Sequence, residues 1–113
     1  MTSTTKLLFA AADLAGASAL LYTSPVTGKG TWIDKATAVN HSAAARQVTF
    51  NHVPVAGLAG TTNLVVSAKA IAAGATDLLP ELVGKFIPPG AMLYGYEDTA
   101  TSVALEINGR ELT

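Results

Sequence analysis

The stretch "SVALEINGREL" (102–112) decides how the chain is read. Val103, Leu105 and Ile107 alternate with Ala104, Glu106 and Asn108. Period-two alternation is the mark of a strand that buries one face. Asn108-Gly109 is a strong hairpin signal, because these residue types tolerate the positive φ of a tight turn. The expectation is a strand ending near Asn108, with a short edge piece, Arg110–Leu112, folded back on it.

The same rhythm recurs upstream. "RQVTFNHV" (46–53) sets Val48, Phe50 and His52 against Gln47, Thr49 and Asn51. "AMLYGYE" (91–97) places Met92, Tyr94 and Tyr96 on one face. "TNLVVSAKAIA" (62–72) alternates Leu64, Val66, Ala68 and Ala70 with Val65, Ser67, Lys69 and Ile71. "GTWIDKATAVN" (30–40) is the longest candidate, with Ile33 and Val39 of one parity and Trp32 on the other face. "TKLLFAA" (5–11) and "SALLYT" (18–23) complete the strand set, the second closed by Pro25. Between them stand turn signals. Pro89 and Gly90 of "PPG" (88–90) suit the central positions of a type II turn. "AGLAGTTN" (56–63) reads as a loop, and "ATDLLPELVGKF" (75–86) as either a strand ended by Pro80 or a helical turn at 80–83.

Alanine favours helix, and "AAADLAGAS" (10–18) is the best helical candidate; the other Ala-rich runs are too short or hold a Gly. The segment also loosely imitates a signal peptide, with Ala17-Ser18-Ala19 in the place of a cleavage site, but Asp13 breaks its apolar stretch. The expected fold is all-β. It is a single-domain β-sandwich over residues 1–113, jelly-roll or immunoglobulin-like, with seven to eight short antiparallel strands. Residues 1–17 form an N-terminal arm or first strand.

Composition narrows the function. Charged residues are 13% of the 113, about half the usual share. A weakly charged small domain tends to hide surface against itself or a larger partner. The seven basic residues are scattered singly, so nucleic-acid binding lacks its footprint. There is no Cys, which excludes disulfides and thiolate metal sites. No apolar run approaches the roughly 20 residues of a membrane span.

Candidate chemistry fails on spacing. "SPVTGKGTW" (24–32) imitates a phosphate loop, but Gly30 follows Lys29 where Ser or Thr is needed, and Thr23 stands where the first Gly belongs. His41 and His52 are eleven residues apart, without metal-ligand spacing. Glu97 and Asp98 read as a solvated turn, since neighbours on a strand end diverge. "NHS" (40–42) is a glycosylation sequon of a kind that recurs by chance. No serine sits in a nucleophile context. No catalytic, cofactor-binding or metal residue is assigned, and an enzyme is not expected.

Three stretches carry a resemblance: "LLYTSPVTGKGTWIDKATAVNHSA" (20–43), "SAKAIAAGATDLLPELVGKFIPPGAMLYGYEDTATSV" (67–103) and "ALEINGREL" (104–112). Together they resemble small all-β virion proteins of tailed bacteriophages. The resemblance implies a structural virion protein assembled in a bacterial host cytoplasm. First among the implied roles is a capsid decoration (cement) protein that binds the major capsid protein, or another virion protein, as a homotrimer. A neck, collar, tail or fibre component is the alternative. No cofactor, nucleic-acid partner or membrane is expected. The candidate interface residues are Leu7, Leu8, Phe9, Trp32, Tyr94 and Tyr96. A different class, a secreted carbohydrate-binding module, would use Trp32 with the tyrosines as a sugar platform.

Overall fold

The computed structural model describes residues 2–113. Nine strands and one 3-10 turn, Thr61–Asn63, make up its regular structure. The strands are β1 (Ser3–Asp13), β2 (Ala19–Thr23), β3 (Gly30–Asn40), β4 (Arg46–Val53), β5 (Leu64–Ile71), β6 (Thr76–Asp77), β7 (Phe86–Ile87), β8 (Met92–Glu97) and β9 (Val103–Leu112). One sheet runs β1-β9-β3-β6, with β7 also on β3; the other runs β2-β8-β4-β5. All pairings are antiparallel.

This order decides between the two expected wirings. β1 pairs with β9, β2 with β8, β3 with β6 and β4 with β5. Such nested pairs are a long hairpin rolled up on itself, the wiring of a jelly roll. An immunoglobulin-like domain would instead pair β1 with β2. The core fills the space between the sheets: Ile33, Ala36, Ala38, Val103, Leu105 and Ile107 from one, Val48, Phe50, Val66 and Leu93 from the other. Burying each large side chain contributes about 1.5–3 kcal/mol.

Four local expectations are corrected. β9 does not turn at Asn108-Gly109; it runs straight through to Leu112 and pairs with β1 and β3 along its whole length. Residues 10–18 form no helix: β1 extends to Asp13, and Leu14 enters the core. Within 1–17, Ser3–Asp13 thus form a first strand. In β3, the register on β9 shifts between Ile33 and Lys35. A bulge adds one residue and flips the parity beyond it, so Ile33, Ala36 and Ala38 are buried and Val39 turns outward. Two register shifts likewise interrupt β5 on β4, one between Leu64 and Val66 and one between Val66 and Lys69, where Ala68 adopts φ +48°. The expected alternation does not run through the strand: Leu64 and Val66 fall on opposite faces, and the buried positions are Val66 and then Ile71.

Segment 75–86 is neither a full strand nor a helix. After β6 the chain turns at 80–84 and inserts Leu79 and Leu82, both fully buried, into the core. Leu79 holds φ +44° there. Its N–H donates to Asp77 Oδ1 at 2.7 Å, which, with side-chain burial, offsets a left-handed cost of about 1–2 kcal/mol. Across the open side of the sandwich, Lys69 of β5 reaches Asp77 of β6 at 3.2 Å and Glu81 at 3.1 Å. The type II turn forms as expected: Gly90 has φ +82° and Ala91 N donates to Pro88 O at 3.0 Å.

Candidate functional site

The structure separates the candidate interface residues. Leu8 is buried and Phe9 packs against the core, so of the three β1 residues only Leu7, half exposed, faces solvent. Trp32 lies on the outer face of the β1-β9-β3-β6 sheet, its ring 4.9 Å from that of Phe86. Tyr94 and Tyr96 are half-buried on the outer face of the opposite sheet. Tyr22 is in the core. No shared platform of Trp32 and the tyrosines exists, because the sandwich stands between them.

The glycine-lysine stretch is a turn between β2 and β3. Gly28 N donates to Pro25 O at 3.2 Å and Lys29 N to Leu112 O at 2.8 Å. The amides on either side of the Gly28–Lys29 bond are thus spent on the chain's own carbonyls, and a strand follows. His41 is exposed and meets Asp13, Nε2 to Oδ1, at 2.7 Å. His52 is half-buried, and burial, then the charge of Lys85, pushes it below the ordinary histidine range. The sequon asparagine is buried, its Nδ2 donating to Ala44 O and Ile71 O at 2.8 and 2.9 Å. Among the described residues no three His, Asp or Glu side chains converge as metal ligands.

Glu97 departs from its reading as a solvated turn. It is fully buried, and its carboxylate accepts the N–H groups of Ser102 and Val103. The signal was present: in "AMLYGYE" it shares the parity of Leu93, opposite the tyrosines. Asp98 is exposed and accepts the Gln47 N–H at 3.2 Å. A second inward carboxylate, Glu111, takes a hydrogen bond from the buried Tyr22 hydroxyl, which also meets Thr31 Oγ1 at 2.9 Å. Burial, then the Glu111 bond, raises the Tyr22 phenol far above its ordinary range. These polar groups join the two sheets.

Two surfaces remain. The first is the free edge of β1. It is the outer strand of its sheet, and nine of its eleven residues are exposed. Thr2 and Thr113 exchange both backbone hydrogen bonds, at 3.1 and 2.8 Å. From Ser3 to Leu7 the register on β9 is unbroken. Antiparallel pairs alternate between bonded and non-bonded, so the N–H and C=O groups of Ser3, Thr5 and Leu7 point away from β9, along the free edge. Beyond Leu7 two register shifts break the strand's regularity. The second surface is the outer face of the β2-β8-β4-β5 sheet. Its strand positions, including Leu20, Gln47, Thr49, Asn51, Leu64, Met92, Tyr94 and Tyr96, bear no charge. The opposite sheet's outer face carries Lys35, Glu106 and an Arg110–Asp34 pair at 3.0 Å.

Compared with known proteins, the chain has no significant match to a family model, a curated protein or a solved structure.

Proposed function

We propose that the chain is a structural subunit of a bacteriophage virion: a capsid decoration protein that assembles as a homotrimer through the free edge of β1. The observation that carries this reading is the row of outward backbone groups at Ser3, Thr5 and Leu7. Unpaired edge groups are a template for another strand, and strand addition uses them directly. The low charge and the resemblance of residues 20–112 to phage virion proteins support the same reading. A ring of three needs a heterologous contact, in which β1 meets a different surface of the next subunit.

The test is absolute mass in solution by light scattering after size exclusion, on the full chain and on Thr5→Pro. Proline at Thr5 removes an outward N–H and leaves the β9 ladder intact. The expected result is a trimer that Thr5→Pro converts to a monomer with an unchanged far-ultraviolet circular dichroism spectrum. A wild-type monomer, or a trimer indifferent to Thr5→Pro, overturns the assembly through β1. A β1–β1 dimer overturns the trimer, and a ring of six or more moves the subunit to the neck or tail.

A further inference from the structure

On the sheet remote from β1, the loop after β4 folds back over the uncharged outer face. Asn51 anchors it. Its Nδ2 donates to Gly60 O at 2.9 Å and to Asn63 Oδ1 at 2.8 Å. Asn63 completes the lock, accepting the Gly60 N–H at 3.0 Å and donating to Leu58 O at 2.9 Å. The amide orientation of Asn51 follows from this network, because both groups it faces are acceptors.

One atom is left over. Asn51 is only 4% exposed, and both its amide hydrogens are spent. Its Oδ1 accepts no hydrogen bond among the described residues, yet it is not sealed off from solvent. Asn51 lines an open groove of about 260 Å³, walled by Tyr96 and Leu64, with Ser18, Gly60 and Thr61 at its rim. That oxygen is open to a donor from the groove, whether water or a ligand hydroxyl.

The lining specifies the donor. With no Lys, Arg or His in the groove, an anion finds no counter-charge; with no Asp or Glu, neither does a cation. The occupant is therefore neutral and donates a hydrogen bond. It also needs an apolar face, because Tyr96 and Leu64 offer a ring and an aliphatic wall. An aromatic face attracts the positive edge of C–H groups. Hydroxyl donors on one rim and a C–H face on the other are the chemistry of a pyranose ring. The volume lies below the roughly 300–1,000 Å³ of drug-sized pockets, which fits one ring rather than a long chain segment.

We propose that this groove is a binding site for a neutral hexose, taken as a free sugar or as the terminal residue of a glycan. The inference stands apart from the β1 assembly, which uses the other sheet.

The experiment is a ¹H–¹⁵N NMR titration of the full chain with methyl glycosides of glucose, galactose, mannose and N-acetylglucosamine, each to about 100 mM, a range that reaches millimolar affinities. The expected result is saturable shifts, with at least one sugar, confined to the Asn51 side-chain amide, Gly60, Thr61 and Tyr96. Tyr96→Ala should weaken that binding at least tenfold, and Tyr96→Phe, which keeps the ring, should preserve it. Titration with the matching disaccharides separates the two sources: tighter binding points to a glycan end, equal binding to the free sugar. No saturable shift with any sugar, shifts centred elsewhere, or undiminished binding by a folded Tyr96→Ala overturns the proposal. The wild-type titration decides it even where that variant does not fold.

Discussion

The carboxylate of Glu97 lies 2.9 Å from the backbone nitrogen of Val103, wholly inside the sandwich. It also takes the Ser102 N–H through both oxygens, at 3.2 Å each. The acid on β8 thereby fixes the entry into β9, the strand on which β1 and β3 both pair. Glu97→Ala leaves two buried donors without a partner, each costing about 1–3 kcal/mol. The expected loss is about 3 kcal/mol in urea unfolding. Glu97→Gln keeps one oxygen and should lose less than half of that. A Glu97→Ala protein within about 0.5 kcal/mol of wild type would show that these bonds contribute nothing net.

Alternation made much of the fold readable and bulges hid the rest. β4 and β8 keep unbroken register with each other, and their faces are as the sequence implies. β3 carries one extra residue against β9 and β5 two against β4, which no residue in "WIDK" or "LVVSAKA" announces, and parity inverts at each. Jelly-roll wiring is not written in any single segment. It depends on β1 reaching β9, about one hundred residues away in sequence, and on β2 reaching β8, about seventy away. The groove at Asn51 was illegible for the same reason. Its walls come from β4, β5, β8 and the chain before β2, and Asn51 alone reads as one more polar residue on an alternating strand.

Gly109 explains why the hairpin signal misled. A glycine after asparagine serves a tight turn, but it also serves close approach within a sheet. A side chain at Gly109 would run into the Trp32 carbonyl and the Leu8 side chain. Gly109 thus lets β9 pass straight between β1 and β3. Gly109→Ala should destabilise the fold by about 1–3 kcal/mol, the usual cost of overpacking. A true I′ turn at this site would also suffer from alanine, so the decisive comparison is Asn108→Ala. It costs a turn dearly, whereas Asn108 is an exposed strand position here and should lose under about 0.5 kcal/mol. Thermal unfolding of both variants checks the pair.

His52 and Lys85 give the sandwich a pH dependence whose sign can be worked out. His52 lies half-buried beside Pro54, Val55, Pro88 and Ala91. Burial first, and the Lys85 charge second, hold its pKa below the ordinary value. In the unfolded chain the same imidazole titrates near 6.5. Below that pH the unfolded state binds a proton that the folded state refuses, so stability falls as pH drops. The decline starts near pH 6.5 and stops once the folded histidine is itself protonated. Denaturant unfolding between about pH 7.5 and 4.5 should show this slope in wild type and a shallower one in His52→Gln. Lys85→Gln removes one of the two causes, so the His52 ring signals, followed by NMR, should titrate closer to 6.5 than in wild type. If the wild-type ring titrates at or above 6.5, neither burial nor Lys85 governs this histidine, and the slope belongs to other groups.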